Sequence, residues 1–135
     1  MAGKKVGILA LQGAFIEHEQ SIRKCGAEAR QIRTPEELEL VDALIIPGGE
    51  STTIGKLLKA TRLDEKIIEK YQKGMPIWGT CAGMILLAKE IVDMQQPGLE
   101  LMDITVIRNA FGRQVDSFET ELEIDGIGTC RGVFI

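Results

Sequence analysis

Gly79-Thr80-Cys81-Ala82-Gly83 decides how the rest of this chain is read. It stands between Pro76-Ile77-Trp78, a short apolar run expected as a buried strand, and Met84 to Ile91, expected as a helix packed along one side. A nucleophilic residue type at a strand-to-helix crossing, with glycine two places before it and two after, is the pattern of a nucleophile elbow. The bend strains the backbone of its central residue, and larger side chains at the flanking positions would strike the neighbouring strand or helix. The following helix start aims N–H groups and its positive dipole end at the sulfur, favouring thiolate. Cys81 is the candidate nucleophile. The plainer alternative is a small buried thiol at a tight turn, and the paired glycines weigh against it.

Working outward, the chain supplies the sheet such a bend requires. Lys5 to Leu11 is a nearly continuous apolar run, suited to a strand covered on both faces. Ala14 to Lys24 reads as an amphipathic helix closed by Gly26, and Ala29 to Arg33 as a second strand. Thr34-Pro35-Glu36-Glu37 is a helix start with Thr34 as N-cap, Pro35 at N1 and Glu37 completing a capping box, the helix stopping near Leu40. Ala43 to Ile46 is a third strand; Thr53 to Lys59 and Leu63 to Lys73 are helical. This alternation predicts an α/β fold: a doubly wound, mostly parallel sheet with helices on both faces. Beyond Pro97-Gly98 the pattern changes. Ile104 to Ile107, Phe118 to Ile124 and Gly132 to Ile135 read as an antiparallel extension, with Asn109 to Gln114 as an ordered loop. Residues 1–135 are expected to form one domain, interrupted at its C-terminal end because the sequence stops in mid-strand without a closing helix.

The totals narrow the function classes. With 44% hydrophobic and 27% charged residues, the 135-residue chain has the composition of a globular protein. No apolar run approaches the ~20 residues needed to span a bilayer, so no membrane partner is expected. A net charge of −4 without a clustered basic face argues against nucleic acid. Three scattered cysteines, Cys25, Cys81 and Cys130, make neither a disulfide framework nor a zinc site and suit a reducing cytoplasm. No metal and no cofactor are expected.

On a parallel sheet, ligands bind beyond the carboxyl ends of the strands. Gln12, the Gly48-Gly49 turn and Cys81 all follow strands and should meet there. A nucleophile at such a bend uses the N–H of the next residue, Ala82, and a second N–H from a neighbouring loop to hold an oxyanion. Gly48-Gly49 is the natural donor loop. A cysteine nucleophile also needs a base. His18 is the only histidine; it sits mid-helix in Glu17-His18-Glu19 and reads as structural, so no triad closes within these residues. Cys25 and Cys130 read as incidental. Arg108 and Arg113 flank the irregular loop and read by default as surface arginines, with a carboxylate clamp as the alternative for Arg108, directly after a strand.

At this point the chain resembles a known family. The bend resembles that of class I, triad-type glutamine amidotransferases, in which cysteine attacks the side-chain amide of glutamine and releases ammonia. Leu11-Gln12-Gly13, Pro47-Gly48-Gly49-Glu50-Ser51-Thr52-Thr53 and the run from Arg108 to Phe118 together resemble the glutaminase subunits of pyridoxal 5′-phosphate synthases, over about Lys5 to Ile135. The resemblance implies that Cys81 forms a glutamyl thioester and that Gly49, Glu50, Ser51, Arg108 and Ile135 bind L-glutamine. It implies a partner, the barrel subunit of the synthase, which takes the ammonia and switches the glutaminase on, and it places Gln12 near both site and partner surface. Members supply histidine and glutamate as a His-x-Glu motif absent from this sequence, so the 135-residue piece is expected to bind glutamine weakly at best and to turn it over little or not at all. Two other readings are a glutaminase feeding imidazole glycerol phosphate synthesis and a non-enzymatic redox sensor whose cysteine is oxidised. The Arg108 to Phe118 run disfavours the first, and the Gly-Gly-Glu-Ser-Thr-Thr loop the second.

Overall fold

A computed structural model describes residues 3–112 and 116–135. Four strands, β1 (Lys5–Leu9), β2 (Glu28–Ile32), β3 (Ala43–Ile46) and β4 (Ile77–Gly79), form a parallel sheet in the order β2-β1-β3-β4. Between them run α1 (Phe15–Lys24), α2 (Pro35–Leu38), α3 (Ser51–Thr61) and α4 (Leu63–Gln72); α5 (Ala82–Leu87) leaves β4 through the bend. The central strands are apolar on both faces because both faces are covered. Val6, Ile8, Ala29 and Ile45 pack with Phe15 and Ile22 of α1 on one side. Leu44 and Ile46 join Ile54, Leu58, Leu63, Ile67 and Leu86 from α3, α4 and α5 on the other. The expected fold class stands.

Capping accounts for several boundaries. Thr34 Oγ1 accepts from the Glu37 N–H at 3.3 Å, while the Glu37 carboxylate takes the Thr34 hydroxyl at 3.0 Å. One half of the expected capping box is therefore replaced by a side-chain bond. Helix α3 begins two residues earlier than expected because Glu50 caps it, accepting from the N–H groups of Thr52 and Thr53.

Three local expectations need correction. The helix after the bend ends at Leu87, and Ala88–Ile91 is a strand, β5. Ala88 already has extended backbone (φ −66°, ψ 141°). β5 pairs parallel with β6 (Met102–Val106), so the segment expected at Ile104 to Ile107 joins β5 rather than the antiparallel extension. That extension is the hairpin of β7 (Phe118–Ile124) and β8 (Gly128–Phe134). The apolar run before the bend is not buried throughout: among the described residues β4 pairs only with β3, and Trp78 is 61% exposed. Of the loop expected over Asn109 to Gln114, Asn109 to Gly112 form a turn closed by Gly112 N–H to Asn109 O at 3.0 Å. Arg113 and Gln114 lie outside the described residues. Among the described residues, no helix is long and apolar enough to cross a membrane.

Candidate active site

Cys81 has φ 50° and ψ −111°, a conformation that a residue with a side chain adopts only when its surroundings over-determine it. The two glycines make that possible by steric room. A Cβ on Gly79 would stand 2.5 Å from the Gly83 carbonyl carbon and 2.8 Å from the Met84 nitrogen, against the first turn of α5. One on Gly83 would lie 2.9 Å from the Ile46 carbonyl carbon and closer still to its oxygen, against β3. The expected collisions fall on helix and strand respectively. The bend closes through Gly83 N–H to Thr80 O at 2.8 Å and Met84 N–H to Cys81 O at 3.0 Å. Cys81 is exposed rather than packed in hydrocarbon.

The loop after β3 lies beside it. Gly48, rather than Gly49, abuts the thiol: a Cβ there would be 3.3 Å from Cys81 Cβ and 4.0 Å from Sγ. The residues after β1 hold this loop from behind. Ala14 N–H donates to Gly48 O at 2.9 Å, and Glu50 N–H donates to Gln12 Oε1 at 2.9 Å. Gly13, at φ 100°, has no space for a side chain because the Gly48 carbonyl occupies it. Fixing the Gly48 carbonyl also fixes the direction of the Gly49 N–H, since a planar trans peptide points the two opposite ways. Among the described residues neither the Gly49 N–H nor the Ala82 N–H has an acceptor.

Glu50 is committed to its own helix. Its carboxylate accepts from Thr52 N–H (3.2 Å), Thr53 N–H (2.8 Å), Thr53 Oγ1 (2.8 Å) and Thr52 Oγ1. These bonds, those from the two threonine hydroxyls foremost, hold its pKa down to about 2. Arg108 Nη2 stands 3.7 Å from Glu50 Oε1, and its other terminal nitrogen donates to Met94 Sδ. Ser51 is 2% exposed and donates its hydroxyl to Gln96 Oε1 at 3.3 Å. Ile135 is exposed just past β8. Its hairpin is joined to the turn after Arg108 by aromatic contacts: Phe111 meets Phe118 and Phe134 edge-on, and the latter two stack at 5.1 Å. The structure thus gathers Gln12, Gly48, Gly49, Glu50, Cys81 and Arg108, while no hydrogen bond among the described residues ties Ile135 to them.

Among the described residues, His18 makes no hydrogen bond to the thiol. Its Nε2 lies 2.9 Å from Thr80 Oγ1, and its ring meets Trp78 edge-on at 6.1 Å. Burial lowers its pKa, a shift that neighbouring Glu17 partly opposes. Sequence reasoning missed this contact because 62 positions separate the two residues; only the shared placement after strands β1 and β4 hints at it. It also missed the Gln12 clasp on Glu50, for which Gln-Gly directly after β1 was the available signal.

The SNO glutamine amidotransferase family model matches residues 8–135. The chain belongs to the SNO glutamine amidotransferase family. It is 59% identical over 132 residues to the pyridoxal 5′-phosphate synthase subunit PdxT of Desulforamulus reducens, covering 96% of this chain and 70% of that one. It is 60% identical over 133 residues to the PdxT of Pelotomaculum thermopropionicum, covering 97% and 68%. A crystal structure of a glutamine amidotransferase superposes with a TM-score of 0.90 at 51% identity, over 96% of this chain and 70% of that one. A putative peptidase E from Listeria monocytogenes shares the fold alone, with a TM-score of 0.62 at 19% identity over 76% and 64% of the two chains. In this SNO-family chain, the bend presents an exposed thiol against Gly48, and the loop that Gly48 begins carries Glu50, which stands 3.7 Å from Arg108.

Proposed function

We propose that the chain is the glutaminase subunit of a pyridoxal 5′-phosphate synthase and hydrolyses L-glutamine to glutamate and ammonia. Membership of a glutamine amidotransferase family and high identity to PdxT subunits support this. The carrying observation is the strained, exposed Cys81 against Gly48. The Cys81 sulfur attacks the side-chain carboxamide carbon, and the oxygen takes up negative charge between the N–H groups of Gly49 and Ala82. The C–N bond then breaks, the thiol's proton leaves with the amine as ammonia, and water cleaves the thioester to give glutamate and free thiol. Arg108 clamps the α-carboxylate. Gly49, Glu50 and Ser51 line the amino-acid end through their backbone, because the Glu50 and Ser51 side chains are engaged elsewhere; Ile135 closes that end.

The proton transfers need a base, and the one histidine of these 135 residues faces Thr80. The 135-residue polypeptide by itself is therefore expected to release ammonia near background. In a chain that carries the family's His-x-Glu pair, that pair would supply the base and the barrel subunit would receive the ammonia, in a cytoplasmic complex. A chimera tests this: residues 1–135 followed by the remainder of the D. reducens relative, assayed with the barrel subunit. Glutamine-dependent ammonia release that Cys81→Ser abolishes is the expected result. Release that survives Cys81→Ser, or none from the folded chimera, would contradict the proposal.

A further inference from the structure

We propose that His18 is a positioning residue for Cys81, acting through Thr80; the inference rests on the reading of Cys81 as nucleophile. Thr80 is the last residue before the strained position, and three elements hold it. Its N–H donates to Ile46 O at the end of β3 (3.1 Å), its carbonyl accepts from Gly83 N–H in α5 (2.8 Å), and its hydroxyl meets His18 Nε2 of α1 (2.9 Å). The first two ties follow from sheet and bend and form whatever side chain stands at position 80. Only the third depends on side-chain chemistry.

Helix α1 contributes no fully buried residue, and the His18–Thr80 bond is its one hydrogen bond to the bend among the described residues. Either tautomer satisfies it, since hydroxyl and ring nitrogen each donate or accept. The edge-on contact with Trp78 fixes the ring plane from the preceding strand. A non-glycine residue at φ 50° relaxes unless its neighbours prevent it. Fastening Thr80 from the helix side restrains that relaxation and with it the direction of the sulfur.

Iodoacetamide, which carries no likeness to the amino-acid end of glutamine, reads this directly when alkylation is resolved residue by residue by mass spectrometry in the full chain. His18→Phe keeps the ring packing and removes the bond, and Thr80→Val removes the hydroxyl at constant shape. Each is expected to change the Cys81 alkylation rate by about threefold or more, with the double variant no further changed than either single one. His18→Gln and Thr80→Ser, which retain a bonding partner, are expected to stay close to the parent. Cys25, exposed at the end of the same helix, is the internal reference and should keep its rate. Additive effects, rates unchanged in both single variants, or a parallel change at Cys25 would overturn the proposal. Protection of Cys81 by glutamine in the parent chain is measured alongside. Its loss with the coupling intact sinks the glutaminase reading instead.

Discussion

At residue scale the bend rests on atoms that are missing. Gly83→Ala puts a methyl into the Ile46 carbonyl, which belongs to a buried central strand and has nowhere to move. A cost of at least about 2 kcal/mol in unfolding free energy is expected, measurable by urea denaturation. Gly48→Ala meets the Cys81 Cβ at 3.3 Å and the Thr80 carbonyl oxygen at 3.9 Å, so it should cost far less stability than Gly83→Ala while slowing attack at the thiol. Equal destabilisation by the two would contradict this account. His18, as the only histidine, gives one set of imidazole resonances in a proton NMR titration. Its midpoint is expected below the usual histidine value because burial disfavours the charged ring. The sign for stability follows: as pH falls from the unfolded pKa toward the lower folded one, the unfolded chain binds the proton first, so stability declines across that window. A midpoint at or above the ordinary value would contradict the desolvated environment.

At element scale the Glu50 cap links the start of α3 to the Gly48-Gly49 loop. Its carboxylate is held at about pKa 2, so the stability it lends is complete above its unfolded pKa and is lost as pH falls through about 2. Thr53→Val removes one of the hydroxyl donors and should raise that pKa, as read by carboxyl-carbon NMR; an unmoved midpoint would show that the hydroxyl bond is not made in solution. How much of these elements was legible follows a physical division. The β1, β3 and β4 runs and the paired glycines were legible because each is a local pattern with one steric meaning. Ala88 to Ile91 was not: a four-residue apolar-and-charged segment has no periodicity that separates a helix end from a strand, and its pairing with β6 decides it. Nor was Trp78, since an apolar residue in a short strand does not disclose whether that strand lies at the sheet edge. Within the site, Cys81 and the Gly48-Gly49 loop were readable from chain order and strand ends. The inward turn of Ser51 and the His18–Thr80 bond depend on partners 45 and 62 positions away.

At the scale of the whole molecule, three strand ends of one parallel sheet deliver the working parts. The β1 end brings Gln12 and Gly13 to brace the loop, the β3 end brings the Gly48-Gly49 loop itself, and the β4 end brings the sulfur. The hairpin and the turn carrying Arg108 form a second group tied by Phe111, Phe118 and Phe134. Replacing Phe111 with alanine should loosen that group and weaken glutamine protection of Cys81 while leaving the sheet's unfolding transition in place. The most direct test is the mass of Cys81 after exposure to a glutamine analogue bearing an electrophile at the side-chain carbonyl, with and without glutamine. A single adduct confined to Cys81 and suppressed by glutamine is the predicted result; equal labelling of Cys25 and Cys81, indifferent to glutamine, would contradict it.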